Sequence, residues 1–201
     1  MSRDDWYRNE EWNEQIESAF FANLKRARSL RDQYIVVQAL ILTQRHPSVA
    51  LRLIDHYFET RKESFHDTRA LSAKAQALRK LGKVEQAIKT YHDLLTAELN
   101  CPNFQTNSYV EYPYFIATSE IKAEYKFALD VLARNYSQAT FPLINFMWHA
   151  AKALIEKSAE HAEKALHFAQ VKKSGFRFHQ DLGLVGKEHK ETIKKLIKIC
   201  T

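Results

Sequence analysis

The sequence predicts an all-α fold made of stacked helical hairpins, an α-solenoid of about ten helices with a capping helix at each end. Three observations carry this. First, the 201 residues contain only 4 Gly and 4 Pro, where average usage (~7% and ~5%) would supply about 24. An all-β sandwich or barrel needs far more turn residues than that. Second, apolar residues recur at helical period along most of the chain. Third, an alanine followed one turn later by another apolar residue recurs four times. With 45% hydrophobic and 27% charged residues, the chain can bury a core and is not intrinsically disordered.

The elements follow in order. A first helix is expected at about Glu11–Arg28, with Trp12, Ile16, Phe20, Leu24 and Ala27 on one face. Glu10, Glu11, Glu14 and Glu17 give it an acidic start, which suits a helix N-terminus. A second helix spans about Arg31–Gln44, and Pro47 opens a third to about Arg61. The fourth is about Asp67–Leu81 with Asp67 as N-cap, and the fifth is Val84–Leu99. A loop from Asn100 to Asn107 leads to an aromatic sixth helix, about Ser108–Ser119, which Pro113 interrupts; its Tyr-rich run also fits an extended strand. Further helices are expected at about Ala123–Asn135, Pro142–Glu156, Ser158–Lys172 and Lys187–Cys200. The whole chain, 1–201, thus reads as one domain: an N-terminal helix (11–28), four hairpins (30–172), an irregular loop (173–186) and a C-terminal capping helix (187–200).

The recurring alanines are Ala50, Ala87, Ala128 and Ala162 or Ala165. Their spacings of 37, 41 and 34 or 37 residues are those of a two-helix repeat. A small side chain where two antiparallel helices cross lets the backbones approach, and larger neighbours fill the space beside it. One hairpin cannot cover its own apolar face, so hairpins stack.

The second hairpin is the clearest. Leu71, Ala75 and Leu78 form a stripe, Gly82 makes the turn, and Val84, Ala87, Ile88, Tyr91, Leu94 and Leu95 form the facing stripe. Ala75, Gly82, Ala87 and Tyr91 stand at the signature positions of the tetratricopeptide repeat (TPR), which this segment resembles. Leu71 replaces the family's frequent Trp, Leu94 its frequent Ala, and Pro102 falls about three residues late. The resemblance covers roughly residues 30 to 170. It implies a right-handed superhelix whose concave groove, lined by the first helix of each hairpin, binds a peptide or protein segment. On that register Arg69, Gln76 and Arg79 face the groove, joined by Tyr109, Tyr112, Tyr114 and Phe115 and by Trp148 on neighbouring helices. The same aromatics also suit a packed core. The opening DDWYRNEEW and the late KKSGFRFHQDLGLVGKEH resemble those of small stand-alone bacterial repeat proteins, which implies a cytoplasmic bacterial origin.

The formal net charge is +6. From Val171 to Thr201, eight Lys/Arg face three acids, so the basic excess is concentrated there. Such an end can attract nucleic acid or an acidic protein. No aromatics interleave with the lysines of the last helix, as single-strand binding requires. Lys190, Lys194 and Lys198, at every fourth position, equally describe a solvated face. Three of the four glycines, Gly175, Gly183 and Gly186, lie in the irregular loop. Phe176, Phe178, Leu182 and Val185 there suit either a cover over the end of the array or a contact surface. Arg177 and His179 are its candidate contact residues.

Catalytic and metal signatures are missing. There is no H-E-x-x-H, G-x-S-x-G or G-x-G-x-x-G. Gly183-Leu-Val-Gly186-Lys187 lacks the spacing and the Ser/Thr of a phosphate loop. His161 and His167 face different sides of one helix, and His149 suits a satisfied interior position. His46, His56, His66 and His92 are scattered. Cys101 and Cys200 are isolated, which argues against zinc and disulfide frameworks. The longest apolar run, Tyr34–Leu42, contains Gln38 and is nine residues long, short of the ~20 a membrane helix needs. No secretory leader is apparent at the start. The expectation is therefore a cytoplasmic, non-enzymatic protein without cofactor or metal that recognises a protein or peptide in its groove. The alternatives are an immunity protein occluding a bacterial toxin, and nucleic-acid binding through the basic C-terminal helix.

Overall fold

The computed structural model describes residues 5–27, 29–134 and 139–201. They contain ten α-helices, three short 3-10 turns and no strand. The chain divides into two compact units, Met1–Thr106 and Asn107–Thr201.

The first unit contains α1 (Glu14–Arg26), α2 (Arg31–Leu42), α3 (Pro47–Thr60), α4 (Asp67–Lys80) and α5 (Val84–Asn100). Helix α1 starts three residues later than the sequence suggests, because Asn13 caps it: the Asn13 side chain accepts the Ile16 N–H. Its expected last residue, Arg28, lies outside the described residues. Helix α2 packs against α3 and α4, α3 against α4, and α4 against α5. The connections Thr43–His46 and Leu81–Lys83 are short, so the helices they join run antiparallel. Phe20, Leu24, Ile35, Leu42, Leu53, Ile54 and Tyr57 form the centre of the core. Asp67 is not the N-cap of α4 but its first residue, and His66 at the cap position offers no side-chain bond. The Asp67 carboxylate is engaged elsewhere. It accepts the Tyr57 hydroxyl at 2.7 Å and pairs with Arg61 at 2.8 Å. A buried tyrosine needs an acceptor for its hydroxyl, and that need prevails over the cap.

Residues ahead of α1 also belong to this core. Trp6 packs against Phe20 and Tyr34. The wholly buried Gln38 accepts the backbone N–H and side-chain amide of Asn9, both at 2.9 Å, and donates to the Asn9 carbonyl at 2.7 Å.

The second unit contains α6 (Ser108–Thr118), α7 (Tyr125–Arg134), α8 (Pro142–Glu156), α9 (Ala159–Ala169) and α10 (Lys190–Cys200). The sixth segment is helical despite Pro113, and most of its side chains are buried. The expected end of the seventh helix, Asn135, lies outside the described residues. Helix α9 stops at Ala169 rather than Lys172, and α10 begins after a 3-10 turn at Lys187–His189. Helix α6 packs against α7 and α8, α8 against α9 and α10, and α9 against α10. Val110, Leu132, Phe146, Trp148, Leu154 and Leu196 anchor this core.

All the alanines proposed as repeat markers, Ala50, Ala87, Ala128, Ala162 and Ala165, are wholly buried. Left-handed residues follow the first helix of three hairpins: Gly82 (φ 70°), Glu120 (φ 57°) and Lys157 (φ 59°). At Gly82 the turn is a Schellman motif, with Gly82 N–H bonded to the Arg79 carbonyl and Lys83 N–H to that of Leu78. The turn after α6 repeats the pattern, Glu120 bonding to Ala117 and Ile121 to Ile116. No helix among the described residues is long and apolar enough to cross a membrane.

Candidate functional site

Between α9 and α10, residues 170–186 form the longest irregular segment among the described residues of the second unit, and several bonds fold it on itself. The Ser174 N–H donates to the Gln180 carbonyl at 2.7 Å, and the His179 and Leu182 N–H groups donate to the carbonyls of Phe176 and His179, each at 3.1 Å. The Phe176 and His179 rings stack at 5.8 Å. The segment is also attached to the start of α8. The Gly183 carbonyl accepts the Leu143 N–H at 2.8 Å, which satisfies one of the unbonded amides of that helix end. Gly183 has φ 69°, and a Cβ there would overlap the Phe141 ring. Glycine is therefore required on both conformational and steric grounds.

This scaffold leaves large apolar side chains in water. Phe178 is 81% exposed, Leu182 49% and Phe176 45%. Of the four apolar residues considered as a cover over the end of the array, Val185 packs against the core and Phe176 lies beside Phe141 with ring centroids 6.0 Å apart, while Phe178 is the most exposed. Burying a phenylalanine is worth about 1.5–3 kcal/mol, so an exposed group of this kind points to a contact surface. Arg177 lies over the Phe178 ring at 5.3 Å. Arg177 and His179, expected as contact residues, are both exposed in this segment.

The other expected contact residues are placed differently. Arg69 is exposed on α4. Gln76 and Arg79 are half-buried and tied within their own hairpin, Gln76 to Ser72 at 3.2 Å and Arg79 to the Tyr91 hydroxyl at 3.1 Å. Tyr109 is half-buried, and burial raises its phenol pKa. Tyr114 and Trp148, like Tyr112 and Phe115, are interior residues rather than groove lining. The Tyr114 hydroxyl lies 2.7 Å from His189 Nδ1 and 2.9 Å from Thr192 Oγ1, and the Trp148 indole donates to the Leu132 carbonyl at 3.2 Å. Each polar tip finds a partner inside, which allows the whole ring to be buried. On α10 one lysine of the basic stripe is paired, Lys194 with Glu191 at 2.8 Å, and so is the neighbouring Lys195, with Glu120 at 2.7 Å.

Two features were not legible in the sequence. His149 of α8 and His161 of α9 meet with their Nδ1 atoms 3.0 Å apart. Helical spacing within one helix cannot reveal a pair made across two. Among the described residues no group of three or more His, Cys, Asp or Glu could hold a metal ion. In the first unit, a cleft of about 690 Å³ opens beside Leu30, Arg31, Asp32, Lys62, Phe65 and His66. Its two cations and the carboxylates of Asp32 and Glu63 balance, so it favours no one sign of ligand. Burial, and then Arg69, lower the His66 pKa.

No family model matches the chain, and neither does any curated protein or solved structure with which it was compared.

Proposed function

We propose that the chain is a TPR-like helical-repeat module that recognises another protein without catalysis, and that residues 172–186 are its main contact surface. The observation that carries the reading is the exposure of Phe178 above all, with Leu182 and Phe176 partly exposed beside it in the chain, on a segment with internal bonds and a glycine-dependent attachment to α8. Such a surface is preorganised, so a partner spends little energy ordering it. Aromatic and Arg side chains together are what interface centres favour.

The repeat part of the reading draws support from the packing within each unit. The first helix of one hairpin touches the first helix of the next in the pairs α2–α4 and α6–α8, and α8 touches the final helix α10, as stacked hairpins with a terminal cap require. The left-handed residues at 82, 120 and 157 recur 38 and 37 residues apart. Arg69 on α4 is the exposed residue through which the concave-groove version of the reading would act.

Site-specific photo-crosslinking tests the assignment. The crosslinker p-benzoylphenylalanine replaces Phe178 in one variant and the exposed Lys89 of α5 in another, in cells that make the protein natively. A discrete protein adduct at position 178, absent at position 89, is the expected result. The same adducts from both positions would remove the assignment.

A further inference from the structure

We infer that the partner segment is acidic and presents an apolar anchor to Phe178. This rests on the recognition reading above and adds the partner's chemistry. Between residues 172 and 187 there are four cations, Lys172, Lys173, Arg177 and Lys187, and one carboxylate, Asp181. Among the described residues, none of the four is in an ion pair. On α10, Lys194 and Lys195 are paired, whereas Lys190 and Lys198 are in no ion pair among the described residues. Counting the neighbouring Glu188, the stretch still carries four cations against two carboxylates, and a negatively charged partner complements that excess as it docks. Arg177 links the two kinds of contact: its guanidinium lies over the Phe178 ring, with five donors available for a carboxylate. An anchor seated on Phe178 would dry that site and strengthen the charge contact beside it.

An anionic membrane would also take basic and apolar groups. The position of Asp181, between Phe178 and Leu182 in the chain and exposed with them, favours a protein instead. Sinking both apolar residues would drive that carboxylate into an anionic headgroup layer.

The test pans the full chain against a random peptide library displayed on phage, then titrates the enriched peptides at rising salt. Co-sedimentation with phosphatidylserine–phosphatidylcholine vesicles runs in parallel. Peptides rich in Asp and Glu around a Phe, Leu or Trp are expected. Phe178→Ser should weaken them by about tenfold or more, and Arg177→Glu should weaken them and flatten their salt dependence. Both side chains are exposed, and circular dichroism confirms that the variants fold. Neutral or basic peptides that still need Phe178 would overturn the acidic chemistry and leave the recognition surface standing. Acidic peptides indifferent to both substitutions would overturn the surface itself. Vesicle binding without any enriched peptide would overturn both in favour of a lipid surface, and the absence of both peptide and vesicle binding would overturn the proposal outright.

Discussion

His149 and His161 share one hydrogen: their Nδ1 atoms are 3.0 Å apart, so one ring donates and the other accepts. The accepting ring must then be neutral. Burial holds His149 down to about pKa 4, with His161, Lys164 and Lys152 adding to the shift and Glu160 opposing it. His161 is lowered by burial and then by Lys152 and Lys164, against Glu160 and Glu156. The unfolded chain, with histidine near 6.5, takes up protons that the folded pair refuses. Stability from the pair is therefore complete above about pH 6.5 and is lost as pH falls toward 4. Allowing for screening at the exposed edge, the loss should be on the order of 2 kcal/mol. Urea midpoints at about pH 7.5 and about pH 4.5 measure it, and His149→Leu should flatten the difference. An unchanged slope in that variant would show that the pair does not titrate as described.

Trp148 and Phe178 should respond in opposite ways to truncation. Trp148 is 8% exposed and bonded to Leu132, whereas Phe178 stands in water. Trp148→Ala should cost about 3–5 kcal/mol. Phe178→Ala should stay within about 0.5 kcal/mol of the parent. Thermal or chemical denaturation ranks them directly, and similar losses for both would contradict the placement of the segment.

The left-handed turns offer a paired test. Gly82→Ala adds a Cβ that meets nothing within 4 Å, so its effect is purely conformational. It should destabilise by about 1 kcal/mol. Lys157→Gly relieves the same strain and should stabilise by about the same amount. Opposite signs are the expected outcome.

Gly183→Ala should release residues 170–186 from α8, through its positive φ and its overlap with Phe141. Amide exchange at Leu143, whose N–H now bonds to Gly183, should speed up by at least about tenfold, a local loss of about 1.4 kcal/mol or more. Exchange in α2, which lies in the other unit, should be unchanged.

These turns also explain how far the sequence could be read. The hairpins were legible from their buried alanines, because close helix approach constrains the side chain itself. The turn signal was legible only at Gly82. At Glu120 and Lys157 the backbone makes the same left-handed excursion with an ordinary residue, so residue type did not reveal it. The aromatics of α6 and Trp148 fit groove or core equally well by periodicity. The choice depended on whether Tyr114 had an interior partner, and it is supplied by His189 and Thr192, more than seventy residues away in sequence. The loop's glycines marked it as unusual, but whether Phe178 folds inward depends on backbone bonds to Ser174 and α8, which no local pattern encodes.

The amide pairing of Gln38 with Asn9 has a practical consequence. An expression variant trimmed past Asn9 would leave a polar head group stranded in hydrocarbon and strip the aromatic lining that Trp6 and Tyr7 provide around Tyr34. Residues 5–12 are a stitched hem of the first unit, and shortening them for convenience would fray it.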